Sequence, residues 1–399
     1  MRFINKKMVV VVIMIGIICT IFIWQNISDK ETKLESVSLN ESKTLNNEMF
    51  AIMLEQSDGT YKESTEKLWP TDMQYNSSMS GCIDINGNKI DNSLTFDKTN
   101  NIATVDTTST SYCYLYFSYP KLCETGTKIG ECLLENSETI NKDMEGGLYR
   151  YQGTKEEITD NYICFGTNSK TECLNNTDKY LYRIIGVDNS GNVKLIKTTS
   201  IGSNKWHNNY TDNTTWPQSD LFHALNGEPG DNPESPITPI FIDSSTYPYL
   251  TTDGDWYNKI AWTEWNYGDT TSNGNYNGDT IYAIESAWAN GTKDTEGKQV
   301  AKIGLMYIHD YYYAYGVGGN PGTYQEAKTA WIFLGSHEWT MSRYGKTGSN
   351  YRARIVSNLG NVGSYPLTNT DAVRPVFYLT SDVEVIGGTG NSPDPLVIN

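Results

Sequence analysis

The stretch His337–Tyr344, HEWTMSRY, places a histidine, a glutamate, a serine and an arginine within eight residues. A nucleophilic relay would need His337, Glu338 and Ser342 to converge on one point. Their spacing opposes this. Period-two alternation puts Trp339 and Met341 on one face and Glu338, Thr340 and Ser342 on the other. Gly335-Ser336 before the stretch and Gly345 after it are turn signals. HEWTMSRY therefore reads as a half-buried strand belonging to the framework. Either Arg343 or Arg374 is expected to meet a carboxylate there in a structural ion pair.

The other chemistry-bearing residues are sparse. There are four histidines, His207, His223, His309 and His337, and none forms H-E-x-x-H or an i, i+4 ligand pair. Asp310, next to His309, sits at a strand-to-helix turn, where an aspartate caps a helix. No G-x-S-x-G elbow, P-loop or dinucleotide fingerprint occurs. Carboxylates are plentiful, but none has a setting that would shift its pKa toward acid–base work. Asp84–Asn88, DINGN, lacks the further carboxylates and the later glutamate of a calcium loop and reads as a β-turn. No enzymatic activity, metal or cofactor is expected.

These residues need elements to hold them. The chain has 399 residues with a formal net charge of -16, and 28 of them are tyrosine and 34 glycine. An acidic chain repels phosphate backbones, so nucleic acid is not expected as a partner. Richness in Tyr, Thr and Asn with few lysines suits an extracellular, β-rich protein. Met8–Trp24 is apolar and uncharged, preceded by Arg2, Lys6 and Lys7. It reads as a single-pass signal anchor, with the N-terminus cytoplasmic and the rest outside the plasma membrane. A cleaved signal peptide would want a small-residue site after the run, and none is present. Outside that segment lie Cys82, Cys113, Cys123, Cys132, Cys164 and Cys173. Six cysteines allow 15 connectivities, and pairing of neighbours along the chain is expected because each pair closes a local loop.

The expected organisation is a cytoplasmic tail over 1–7, the membrane helix over 8–24, a stalk over 25–48 and a small β module over 49–119. A helical connector over 120–145 and a surface domain over 146–399 follow. Tyr180–Val187 and Asn192–Thr198 flank the turn Asp188–Gly191 and predict a hairpin. Trp216–Asn226 predicts a short helix capped near Ser219. Lys302–Tyr307 reads as a buried strand and Tyr307–Ala314 as the start of a helix. Val373–Leu379 reads as a strand at an edge or bulge because of Pro375.

The order of YRIIGV (182–187), GNVKLIK (191–197), Trp216, Ser219, Leu221, Leu225 and Asn226, IGLMY (303–307), Asp310-Tyr311, EWTMSRY (338–344) and DAVRPVFYL (371–379) carries a resemblance. It resembles a family of uncharacterised extracellular domains on surface proteins of Gram-positive gut bacteria. That layout is similar to C-type-lectin-like domains of the formylglycine-generating-enzyme kind. The resemblance spans about residues 146–390 and implies an α+β fold with short strands, few helices and long loops. It does not transfer an activity. The formylglycine-generating enzymes use two cysteines late in the domain, and no cysteine follows Cys173 here. The E-P-N, Q-P-D and W-N-D triplets of calcium-dependent lectins are absent.

Binding is the expected function, as a membrane-anchored or adhesin-like ectodomain with a glycan or a surface protein as ligand. Two loops concentrate aromatics beside Asn, Asp and Gly, and they nominate Trp256, Trp262, Trp265, Tyr311, Tyr313 and Tyr315 as ligand-binding residues. The competing role for each is core construction. A structural subunit of a surface appendage and a cell-wall hydrolase are the alternative functions.

Overall fold

The computed structural model describes residues 50–399 except 57–59, 66–69, 71–72, 78, 91–93, 98–101, 106–111, 120, 136–147, 210–213, 229–236, 269–277, 290–294, 296, 316–327 and 348–349. Strands hold 37% of the structure and helices 18%. This corrects the expected α+β, C-type-lectin-like class with an N-terminal transmembrane helix: short β-branched and aromatic runs between Gly and Asn turns dominate. No helix among the described residues is long and apolar enough to cross a membrane. The expected membrane helix, with its flanking tail and stalk, lies outside the described residues.

The chain divides into two compact units, Met1–Pro120 and Lys121–Asn399. In the first, Phe50–Glu55 pairs antiparallel with Tyr61–Glu63 and parallel with Tyr112–Ser118. Gly81–Ile83 lies on the other side of Tyr112–Ser118, with Cys82 directly opposite Cys113, and the two are joined as a disulfide. Asp84 spends its carboxylate in its own turn: Oδ1 accepts the Asn86 and Asn88 amides at 2.8 and 2.9 Å. That is an Asx turn.

The second unit is organised by a sheet with the order Val376–Leu379, Val193–Lys197, Leu181–Asp188, Tyr162–Cys164, Leu396–Ile398, Val385–Gly387; Leu148–Arg150 also pairs with Leu181–Asp188. Leu181–Val187 and Val193–Lys197 are buried at every position. Both faces of this hairpin are therefore covered. Gly186 sits at a register shift, where a Cβ would run into the Tyr149 carbonyl. Pro375 precedes the Val376–Leu379 strand at the sheet edge, where its missing N–H is tolerated. A second sheet orders Ser203–Lys205, Thr370–Ala372, Glu338–Thr347, Asn350–Val356 and Val362–Pro366. Thr263–Tyr267 and Gly297–Ala301 form a separate antiparallel pair.

Helices are short and sharply capped. The Ser219 hydroxyl accepts the Phe222 amide at 3.1 Å to start Asp220–Asn226, and Gly227 ends it in the left-handed region. Ile129–Glu135 contributes Ile129, Cys132 and Leu133 to the core of this unit. Cys123–Cys132 and Cys164–Cys173 are joined, which completes the neighbour pairing. Residues 302–307 make one bridge, Gly304 to Val376, instead of the expected strand.

HEWTMSRY lies in the strand Glu338–Thr347, but it is not half-buried. Glu338, Thr340 and Ser342 are as enclosed as Trp339 and Met341. Each polar side chain has a partner: Thr340 Oγ1 donates to the Arg354 carbonyl at 3.0 Å, and Ser342 Oγ to Glu285. Glu338 takes a bidentate pair from Arg374, Nε to Oε1 at 2.7 Å and Nη2 to Oε2 at 2.8 Å. Arg374 also donates to the Ile332 carbonyl. Removing one member leaves the other charge buried, so Glu338→Gln should cost about 3–5 kcal/mol in urea unfolding. The apolar pair Glu338→Leu with Arg374→Met should recover most of that loss. A single-variant cost under about 1 kcal/mol would show that the pair is not holding this sheet.

Candidate ligand-binding cleft

A cleft of about 400 Å³ opens on the second unit, lined by parts of five segments, one of them the Leu148 end of the Leu148–Arg150 strand. Asp188, Asn192 and Lys194 come from the central hairpin; Ala261–Asn266 leads into and along the Thr263–Tyr267 strand. Tyr307 and His309 stand at the start of the helix Ile308–Tyr315, and Tyr378 lies on the edge strand. Trp262 is 61% exposed, with the Lys302 ammonium 5.1 Å from its ring centroid. Trp265 is a buried wall: its indole donates to the Ala301 carbonyl at 3.1 Å, and its ring packs at 6.3 Å on Tyr307 and 5.8 Å on Tyr378.

Beneath the cleft lies a buried ionic cluster. Lys194 Nζ is 2.7 Å from Asp310 Oδ2 and sits over the rings of Tyr307, Tyr378 and Trp265 at 5.0, 5.5 and 5.8 Å. Arg150 Nε approaches Asp310 Oδ1 at 3.8 Å. The Tyr307 amide donates to Asp310 Oδ2 at 3.1 Å, the capping role expected of this aspartate. Burial alone would raise the Asp310 pKa, but Lys194 foremost, with Arg150, holds it well below the usual carboxylate range. Burial pushes Lys194 down, against the pull of Asp310. Burial and then Arg150 hold His309 well below the ordinary histidine value, so its ring is neutral.

Glu285, on the helix Gly278–Ala289, accepts the His309 backbone N–H at 2.7 Å and the Ser342 hydroxyl. The three side-chain types of a hydrolytic relay thus meet, but in the wrong order. Ser342 bonds to the carboxylate, and the carboxylate bonds to the histidine backbone rather than its ring. His309 Nε2 faces Arg150 Nη2 instead. This arrangement cannot draw a proton from Ser342 to imidazole. Among the described residues no group of His, Cys, Asp and Glu has a metal-binding arrangement.

Of the six aromatics nominated from sequence, the structure brings Trp262 and Trp265 together at the cleft. Trp256 is half-buried elsewhere, edge-on to Phe165 at 5.2 Å. Tyr311 is buried with its hydroxyl on the Gly360 carbonyl, and Tyr313 is buried with Arg150 5.0 Å from its ring centroid. They belong to the core because Ile308–Tyr315 is enclosed on most sides. The Tyr315 side chain lies outside the described residues. Lys194, Asn266, Tyr307, His309 and Tyr378 escaped the sequence reading. The one available signal was the pairing of Lys194, inside the apolar VKLIK, with an aspartate heading an aromatic helix. No protein-family model, curated protein or solved structure matches this chain.

Burial raises the Glu285 carboxyl to about 7, against Ser342 and the His309 amide, which oppose it. Its folded pKa is above the ordinary 4.5, so its contribution to stability is full below about pH 4.5 and lost as pH rises through about 7. Between those limits the loss runs at about 1.4 kcal/mol per pH unit. Asp310 acts in the opposite sense and matters only in stronger acid, below its unfolded pKa. Glu285→Gln, which keeps an acceptor for the His309 amide, should flatten stability against pH across that window and exceed the wild type at pH 8. Urea titrations at several pH values measure this, and an unchanged slope in the variant would remove Glu285 as the source.

Proposed function

We propose that the protein is a binding protein of an oxidising, extracytoplasmic environment, and that its ligand is a glycan held in this cleft. The observation that carries the proposal is Trp262, a large indole left 61% exposed at the rim of a concave site. An exposed tryptophan beside hydrogen-bonding groups suits the apolar face of a sugar ring, with amides and carboxylates nearby for hydroxyls. The size of the cleft falls in the ordinary range for small-ligand sites. Its concavity favours a glycan over the flatter surface of a protein partner. The floor is preorganised by the Lys194–Asp310 pair, so binding need not order it. The three disulfides support the compartment. The resemblance to bacterial surface domains points the same way.

A glycan array probed with the full chain, followed by tryptophan fluorescence titration of the hits, tests the proposal. Trp262→Ala should weaken binding tenfold or more while leaving the melting temperature close to wild type, because the side chain is exposed. Failure to retain any glycan, or a Trp262→Ala protein with wild-type affinity, would overturn it.

A further inference from the structure

The charges in the cleft lining are already used. Lys194 is paired with Asp310, and Glu264 with Lys298 at 2.6 Å. Asp188 accepts the Ser190 and Asn192 amides at 2.8 and 2.9 Å and the Asn192 side chain at 2.8 Å. The part of the ligand that enters is therefore neutral: the lining offers no unpaired ammonium or carboxylate, and Lys302 beside Trp262 already gives its ammonium to the carbonyls of Tyr257 and Ile260.

Two lining residues carry buried polar atoms that lack a partner. Among the described residues, His309 Nδ1 and Asn266 Oδ1 are buried without a partner. The identity of the histidine atom follows from its other nitrogen. Arg150 is a donor only, so His309 Nε2 accepts from it, and the proton of the neutral ring is on Nδ1. Two residues that line the cleft thus carry one orphan donor, on the helix Ile308–Tyr315, and one orphan acceptor, on the strand Thr263–Tyr267. The two elements are tied together where the Tyr307 hydroxyl donates to the Asn266 carbonyl at 2.7 Å. Buried polar atoms without partners are costly, and on residues that line a cleft a ligand can supply the missing bonds.

We propose that the cleft selects the acetamido group of an N-acetylhexosamine. This inference rests on the glycan reading above and narrows it. The acetamido carbonyl accepts from His309 Nδ1, and its N–H donates to Asn266 Oδ1. Its methyl lies against the rings of Trp265, Tyr307 and Tyr378, while the pyranose ring stacks on Trp262. A hydroxyl also donates and accepts, but it brings no apolar surface to a floor built from three aromatic rings. A peptide carries the same amide but lacks the flat ring face that Trp262 is exposed to meet.

Isothermal titration of the full chain with triacetylchitotriose and with cellotriose tests this, because the two trisaccharides differ only in acetamido against hydroxyl at C2. The acetylated sugar should bind at least tenfold more tightly, and saturation-transfer NMR should place its acetyl methyl closest to the protein. Asn266→Ala should bring the affinity ratio close to one. Asn266→Asp, which keeps the acceptor, should retain the preference, and Trp262→Ala should weaken both sugars. Equal affinity for the two sugars, or a ratio untouched by Asn266→Ala in a protein that melts like wild type, overturns the acetamido assignment and leaves the glycan reading standing. Tighter binding of an acetyl-capped tripeptide than of either sugar overturns it as well. If no sugar binds, here or on the array, both fall.

Discussion

The second unit depends on a single buried contact, Lys194 against Asp310. An ion pair with both members fully enclosed carries a desolvation cost that its own attraction does not reliably offset. Here the surroundings make up the difference. Three aromatic rings face the ammonium, and the Tyr307 amide and Arg150 share the carboxylate. The result joins the Val193–Lys197 strand of the main sheet to the first turn of the Ile308–Tyr315 helix. Because that helix also presents His309 to Glu285 and Arg150, the pair sets the position of the whole cleft floor.

The same device recurs wherever the chain runs without regular structure. Carbonyls of irregular segments need donors, and buried long side chains supply them. Arg183 donates to the carbonyls of Trp331 and Ile158 and to Asn161 Oδ1. Lys302 reaches the carbonyls of Tyr257 and Ile260. Indoles also anchor distant carbonyls, in strands as well as loops: Trp206 to Thr340, Trp265 to Ala301, Trp331 to Tyr151 and Trp339 to Asn204. Tryptophan suits this task because one residue fills a large volume and satisfies a distant backbone acceptor. These four indoles are thus backbone anchors, and among the described residues Trp262 is an indole whose exposure calls for a different account.

This explains which parts of the protein were legible in its sequence. Signals confined to a few residues were: the hairpin around Asp188–Gly191, the Ser219 cap, the neighbouring cysteine pairs. Alternation in HEWTMSRY showed neither the register shift between Trp339 and Arg343 nor the burial of its polar residues, since the partners of Glu338 and Ser342 lie 36 and 57 residues away. The aromatic density of 311–313 looked like a binding loop because composition does not distinguish an enclosed helix from an exposed turn. The cleft itself was illegible. Its lining is drawn from segments scattered between Leu148 and Tyr378, and only the sheet order brings them together.

The distribution of buried charge bears on what can approach the surface. Among the described residues, Arg150, Arg183, Lys194, Lys197, Lys302, Arg354 and Arg374 are buried, against Glu285, Asp310, Glu338 and Asp371. Seven cations and four carboxylates are thus withdrawn from water, and the interior holds the excess of positive charge. Some of it is discharged: Lys197 has no hydrogen-bond partner among the described residues, lies over Tyr182 and Tyr247, and is pushed by burial down to about 7. The formal -16 of the chain therefore falls disproportionately on its exterior. A polyanion meets repulsion over that surface before it reaches any site, at a range set by the screening length of the medium. A neutral ligand meets none, and the charged groups of the cleft lining, each already held by a protein partner, extend the same constraint to the site.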